Sequence, residues 1–272
     1  MQFSLVNGIK VPPSPKTEGV CPACGNKTVS KCGSQKLWHW AHASRQSCDP
    51  WWENETPWHR AWKSHWPAER QEVIQISSAN GEKHIADVKT ASGLVIEFQN
   101  SAMNDEELAS REAFYGNMVW VINGASFLKN IEICTRLPSP DDPRSHDMRV
   151  YPPRSGSDEF MYYLVSENEP NATMVLLHGS RDIQSFVEET YDGHHLFIWK
   201  HPREIWYRSS IPVYLDFGGS VLWQLKKFNS GSTRCLKSVS KALFITENEG
   251  SVEAQAKEGP GRREPAQNKL IF

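Results

Sequence analysis

The chain has 272 residues and a formal net charge of −2, so it is no overall polycation, and it is long enough to bury one large core or two smaller ones. Charge is uneven: residues 1–70 hold nine Lys/Arg against five Asp/Glu and 200–244 hold eight against two, a pattern suited to gripping a polyanion around a more acidic middle. No run nears the roughly 20 apolar residues that span a bilayer, Met1–Lys10 lacks a leader pattern, and six cysteines with two in CxxC fit metal ligands in a reducing cytoplasm better than a disulfide framework.

In chain order, the prolines at 12, 13 and 15 predict an extended lead-in over 1–20. Residues 21–50 read as a short metal-binding module. A helix is predicted over 53–66, where Trp58, Trp62 and Trp66 recur at spacing four and Glu55, His59 and Lys63 form a second stripe. Pro57 suits its first turn and Pro67 its end. Strands follow at 72–77, 83–89 and 94–99, separated by the turn signals Asn80-Gly81 and Ser92-Gly93. A second helix over 104–115 places Leu108, Arg111 and Tyr115 on one face, and a strand at 118–122 follows. The resulting order, α-β-β-β-α-β, predicts an α/β core over 51–137. Residues 138–158, rich in Pro, Asp, Arg and Ser, read as a linker. A mixed, β-rich accessory region is expected over 159–246, with strands at 161–165, 174–177, 195–199, 213–216 and 222–225. Its Trp199, Trp206 and Trp223 with neighbouring Lys and Arg fit either a stacking track for single strands or ordinary core. Residues 247–272 are expected as a disordered tail.

The chemistry is expected on the second and third strands of the core. Asp87 and Glu97 stand ten residues apart across a hairpin, which brings two carboxylates side by side. Paired acidic oxygens suit a hard divalent cation such as Mg or Mn, and a cation held there polarises a phosphodiester and activates water. Glu55 is expected to complete the metal shell, with His59 and Lys63 following it on the helix stripe. Strand alternation places Gln99 on the face of Glu97. Many enzymes of this architecture carry Lys there, and Lys63 is the candidate to supply that charge from the helix.

Ahead of the core, Cys21-Pro-Ala-Cys24-Gly is a zinc-knuckle pattern. His39 and His42 follow at fourteen and then two intervening residues, and Cys48 stands six after His42. Cys21, Cys24, His39 and His42 make one zinc set, and Cys48 is the alternative fourth ligand. Cys134 and Cys235 read as buried thiols.

These motifs together, Cys21-x2-Cys24, His39-Trp-Ala-His42, Glu55-x3-His59-x3-Lys63, Ala86-Asp87-Val88, Ile96-Glu97-Phe98-Gln99-x-Ser101 and Arg111-x3-Tyr115, resemble the competence protein CoiA-like family over roughly residues 20–124. The resemblance implies a PD-(D/E)xK nuclease core behind a zinc-ribbon-like segment. It implies metal-dependent cleavage of DNA, with Ser101, Arg111 and Tyr115 at the nucleic acid. Two other readings stand beside it: a nuclease-fold protein that binds nucleic acid without turnover, and an adaptor whose zinc and tryptophans organise a protein-binding face.

Overall fold

The computed structural model describes all residues except 45–47, 152–155, 157–158, 170–172, 230–232 and 254–272. It is mixed α/β and rich in β-structure, with a small Cys-bearing module at the front. The chain divides into two compact units. One holds Met1–Glu97, Phe114–Asn117 and Asn248–Phe272; the other holds Phe98–Ala113 and Met118–Glu247.

The first unit opens with an antiparallel five-stranded sheet of β1 (Ser4–Val6), β2 (Ile9–Val11), β3 (Glu18–Val20), β4 (Lys27–Lys31) and β5 (His39–His42), in the order β2-β1-β3-β4-β5. The expected lead-in over 1–20 thus supplies three of the five strands. Asn7 at φ 52° and Gly8 at φ 78° turn β1 into β2, so the prolines that follow interrupt a sheet that has already begun. Gly19 is required by packing: a Cβ there would lie 2.9 Å from both Leu5 O and Ser4 Oγ. Met1, Cys21 and Trp40 form a small core beneath this sheet.

Helix α1 runs only over Pro57–Lys63. Thr56 caps it: its hydroxyl accepts from the His59 N–H, and its own N–H donates to His59 Nδ1, a reciprocal box that fixes the start two residues after Glu55. The expected start near 53 is therefore four residues too early, and Glu55 stands just before the cap. Trp62 and Trp66 are buried. Strands β6 (Gln71–Ile76), β7 (Lys83–Lys89) and β8 (Val95–Gln99) then pair antiparallel. The β6–β7 pairing places Gln71 opposite Val88 and Val73 opposite Ala86, and passes over Glu72, whose φ of 45° is left-handed. Near the chain's end Trp66 Nε1 donates to Asn248 O, and the Glu249 carboxylate accepts the N–H groups of Ala91 and Ser92. The first residues of the expected tail are thus bonded into this unit; 254–272 lie outside the described residues.

Helix α2 (Asp105–Tyr115) begins where Asn104 Oδ1 accepts the Glu107 N–H. In the second unit follow β9 (Met118–Asn123), β10 (Ile131–Arg136), α3 (Pro143–His146), β11 (Met148–Tyr151), β12 (Met161–Leu164), β13 (His178–Gly179), α4 (Gln184–Thr190), β14 (His194–Trp199), β15 (Val213–Asp216), β16 (Val221–Lys227), β17 (Arg234–Ser240) and α5 (Lys241–Glu247). Their main sheet runs β10-β14-β17-β16-β15-β9, antiparallel except at β15–β9, and β11-β12-β13 form a second sheet. Two expectations fail here. The supposed linker contains β11, whose Met148 and Val150 pack with Leu137, Phe160, Tyr162, Leu196, Phe228 and Cys235 in the unit's core. Composition hid an apolar alternation two residues apart. Residues 174–177 form no strand, and Met174 is 84% exposed; the strand is the short β13 that follows.

Candidate metal centres

The β7–β8 register pairs Val88 with Ile96 and Lys89 with Val95. One step further, Asp87 stands across from Glu97, and cross-strand partners share a face. The Asp87 N–H donates to Glu97 Oε1 at 3.1 Å. On β7 the alternate residues His84, Ala86 and Val88 are buried, which leaves Asp87 half-buried on the other face.

Lys63, from the last turn of α1, reaches this face with only 2% of its surface exposed. Its Nζ lies 2.5 Å from Glu55 Oε1, 3.3 Å from Glu72 Oε1 and 3.9 Å from Asp87 Oδ1. Burial alone would drive its proton off, but the charges of Glu55, Glu72 and Asp87 outweigh that and hold the ammonium charged. Glu55 is also bound by Arg60, 2.9 Å from Nε and from NH2. Burial pushes its carboxyl up, yet Lys63 and Arg60 together bring it down to about 2. Glu55 is therefore engaged by two cations of the protein and stands as the holder of Lys63, where sequence spacing suggested a metal ligand. His59 serves the helix cap, and its Nε2 meets Glu53 Oε1 at 2.8 Å.

Spacing gave no sign of Glu72. Its carboxylate accepts the N–H groups of Gln2 and Phe3 at 2.7 and 3.1 Å while it faces Lys63. The left-handed backbone that breaks the ladder at this residue aims the side chain there.

The second cluster brings together Cys21, Cys24, His42 and Cys48, whose ligand atoms all lie within 4.8 Å of one another. Cys21 and Cys24 flank a tight turn: the Gly25 N–H donates to Cys21 O at 2.9 Å, and the Cys21 N–H donates to Asn26 O at 2.8 Å. Cys21 Sγ is 3.8 Å from Cys48 Sγ, and Cys24 Sγ is 3.3 Å from His42 Nε2. Zinc–sulfur bonds of about 2.3 Å and zinc–nitrogen bonds of about 2.0 Å at tetrahedral angles give sulfur–sulfur and sulfur–nitrogen edges of about 3.8 and 3.5 Å. The donor set and its spacing fit zinc. Burial pushes the Cys48 thiol up to about 12 and raises Cys21, whereas hydrogen bonds, the Asn26 N–H foremost, outweigh burial at Cys24 and lower it. Burial lowers His42 and favours the neutral imidazole that ligates metal. The fourth position thus falls to Cys48. His39, one end of β5, instead places Nδ1 2.8 Å from Leu37 O. Among the described residues this is the one set of three or more metal-ligating groups that converges; Glu55, Asp87 and Glu97 do not form a second.

The remaining expected site residues lie in or beside α2. Gln99 is buried, and its amide donates to Ser101 O and Oγ at 3.3 and 3.1 Å. Ser101 is exposed. Arg111 is only 4% exposed, paired with Glu107 at 2.5 Å and set over the Trp120 ring at 5.8 Å. Tyr115 packs on Phe114 and Trp51. Trp199 and Trp206 are core, stacked on Phe127 and set against Trp120 respectively, which removes them from any stacking track. Cys235 is buried and its thiol is pushed up to about 12, while Cys134 is half-buried.

No helix among the described residues is long and apolar enough to cross a membrane. No curated protein and no solved structure matches the chain. Residues 15–50 match the family model Competence protein CoiA, N-terminal domain, and that span holds all four residues of the zinc-compatible cluster.

Proposed function

We propose that the chain is a competence-related, metal-dependent nuclease that hydrolyses phosphodiester bonds in DNA, with a PD-(D/E)xK-type core and a structural zinc in front. The observation that carries this reading is the placement of Asp87 opposite Glu97 with the buried Lys63 ammonium 3.9 Å from Asp87. Support also comes from the element order α1-β6-β7-β8-α2-β9 and from the match over residues 15–50.

Two carboxylates suffice for Mg or Mn, which commonly takes one or two from the protein and fills its shell with water and substrate phosphate. Bound there, the cation supplies polarisation of the phosphate and an activated water. Asp87 and Glu97 hold the oxygens on one face. Lys63, buried beside Asp87, adds positive charge to the field at the phosphate as negative charge builds there, without touching it, a charge that Gln99 cannot supply. Glu55 and Glu72 keep Lys63 charged and aimed. The zinc set closes with four protein ligands and leaves no open position for substrate, which assigns it to folding.

Labelled single- and double-stranded DNA incubated with the full chain and Mn2+ or Mg2+ tests this. Cleavage that Asp87→Asn abolishes is expected. Salt-dependent binding without cleavage by the wild type would replace it with the binding-only reading, and neither binding nor cleavage would favour an adaptor.

A further inference from the structure

Residue 49 joins the two clusters. Asp49 directly follows the ligand Cys48 and is only 5% exposed. Its Oδ2 accepts the Ile85 N–H at 2.8 Å; its Oδ1 meets His84 Nδ1 at 2.9 Å and accepts the Trp51 N–H at 3.0 Å. The His84 ring is held on its other nitrogen by Glu82 at 2.9 Å and is stacked by Trp51, with ring centroids 3.2 Å apart. His84 and Ile85 lie on β7, and Ile85 shares its face with Asp87 two positions on. One peptide unit therefore separates a cysteine of the zinc-compatible set from a carboxylate that grips the strand bearing Asp87.

We propose that Asp49 is a positioning residue that transmits zinc loading at Cys21, Cys24, His42 and Cys48 to strand β7, so that the front module sets the placement of the Asp87 carboxylate. The physical reason is that a ligated Cys48 has a fixed backbone. A buried, multiply bonded carboxylate on the next residue passes that fixity across the chain. Without zinc, residues 48 and 49 gain freedom and Ile85 loses a charge-assisted bond. The consequence for catalysis rests on the reading of Asp87 as a functional carboxylate; the coupling itself does not.

Hydrogen exchange on the full chain tests it, in wild type, Asp49→Ala and Asp49→Asn, each with zinc and after chelation. Substitution of Co2+ reports the thiolate site by its absorption. In wild type, chelation is expected to speed exchange at the Ile85 amide by about tenfold or more, with the Val95 amide, bonded to Asn117 O, little changed. Asp49→Ala should keep the Co2+ spectrum, exchange fast at Ile85 with metal bound, and lose the response to chelation. Asp49→Asn, which keeps an acceptor oxygen, should recover part of it and serves where the alanine variant does not fold. An Ile85 amide indifferent to zinc in wild type, or a zinc response that survives in the variant that folds, overturns the proposal. Failure of wild type to cut DNA would remove the nuclease reading and leave this cycle to stand or fall by itself.

Discussion

In the thiolate cluster four ligand atoms face one another within 4.8 Å, whereas the carboxylates near β7 are already threaded by the ammonium of Lys63. Both clusters belong to the first unit, and both gather groups that water would otherwise solvate. The first keeps its sulfurs from ionising together: burial, with Cys21 and Cys24 alongside, pushes the half-buried Cys48 up to about 12. The second meets its repulsion with a cation of its own. The difference teaches that the carboxylates are gathered around a cation of the protein itself, whereas the Cys/His set presents its ligand atoms at a spacing that fits zinc.

That contrast can be broken most sharply at Cys24, which is exposed and packs little. Cys24→Ser should release zinc and unfold the front module, because structural zinc supplies about 10 kcal/mol or more to so small a segment. Zinc content with limited proteolysis measures this, and a variant that stays protected over 21–50 without zinc would erase the contrast. Lys63→Met comes next. It leaves Glu55 and Glu72 buried without their shared cation, and a loss of about 3–5 kcal/mol in urea unfolding is expected. Adding Glu55→Gln should restore part of the loss.

A pH series sharpens the same point. Glu55 ionises at about 2 when folded, below its ordinary 4.5. A depressed carboxyl stabilises the fold fully above 4.5 and ceases to do so as pH falls from 4.5 towards 2, a contribution of about 3 kcal/mol. Wild type should therefore lose more stability than Glu55→Gln across that interval; parallel curves would contradict the ion pairing. The smallest effect is expected for Asp87→Asn without metal. Asp87 is half-buried and lies at 3.9 Å from Lys63, so unfolding should shift by about 1 kcal/mol or less, while Mn2+-dependent cleavage falls at least a hundredfold.

Much of this was legible in the chain. The turn at Ser92-Gly93 and the alternation of 94–99 sufficed to set Asp87 against Glu97, since hairpin register follows turn position. The CxxC turn was equally plain. The fourth zinc ligand was not, because His39 and Cys48 both lie within reach along the chain and only the pairing of β5 with β4 separates them in space. Glu72 escaped because its position depends on one left-handed residue that breaks the β6–β7 ladder. The surroundings of Arg111 were hidden for a related reason: helix periodicity says which residues share a face, not what that face packs against, and here Arg111 lies over Trp120. In 138–158, polar composition concealed Met148 and Val150, whose burial depends on strands far along the chain.

A crystal of the full chain soaked with Mn2+ and examined by anomalous scattering tests the central claim most directly. The account predicts a manganese peak at about 2.2 Å from an oxygen of both Asp87 and Glu97, with Lys63 alongside and still paired to Glu55. A peak that touches neither carboxylate, or none near β7 with DNA also present, would contradict it.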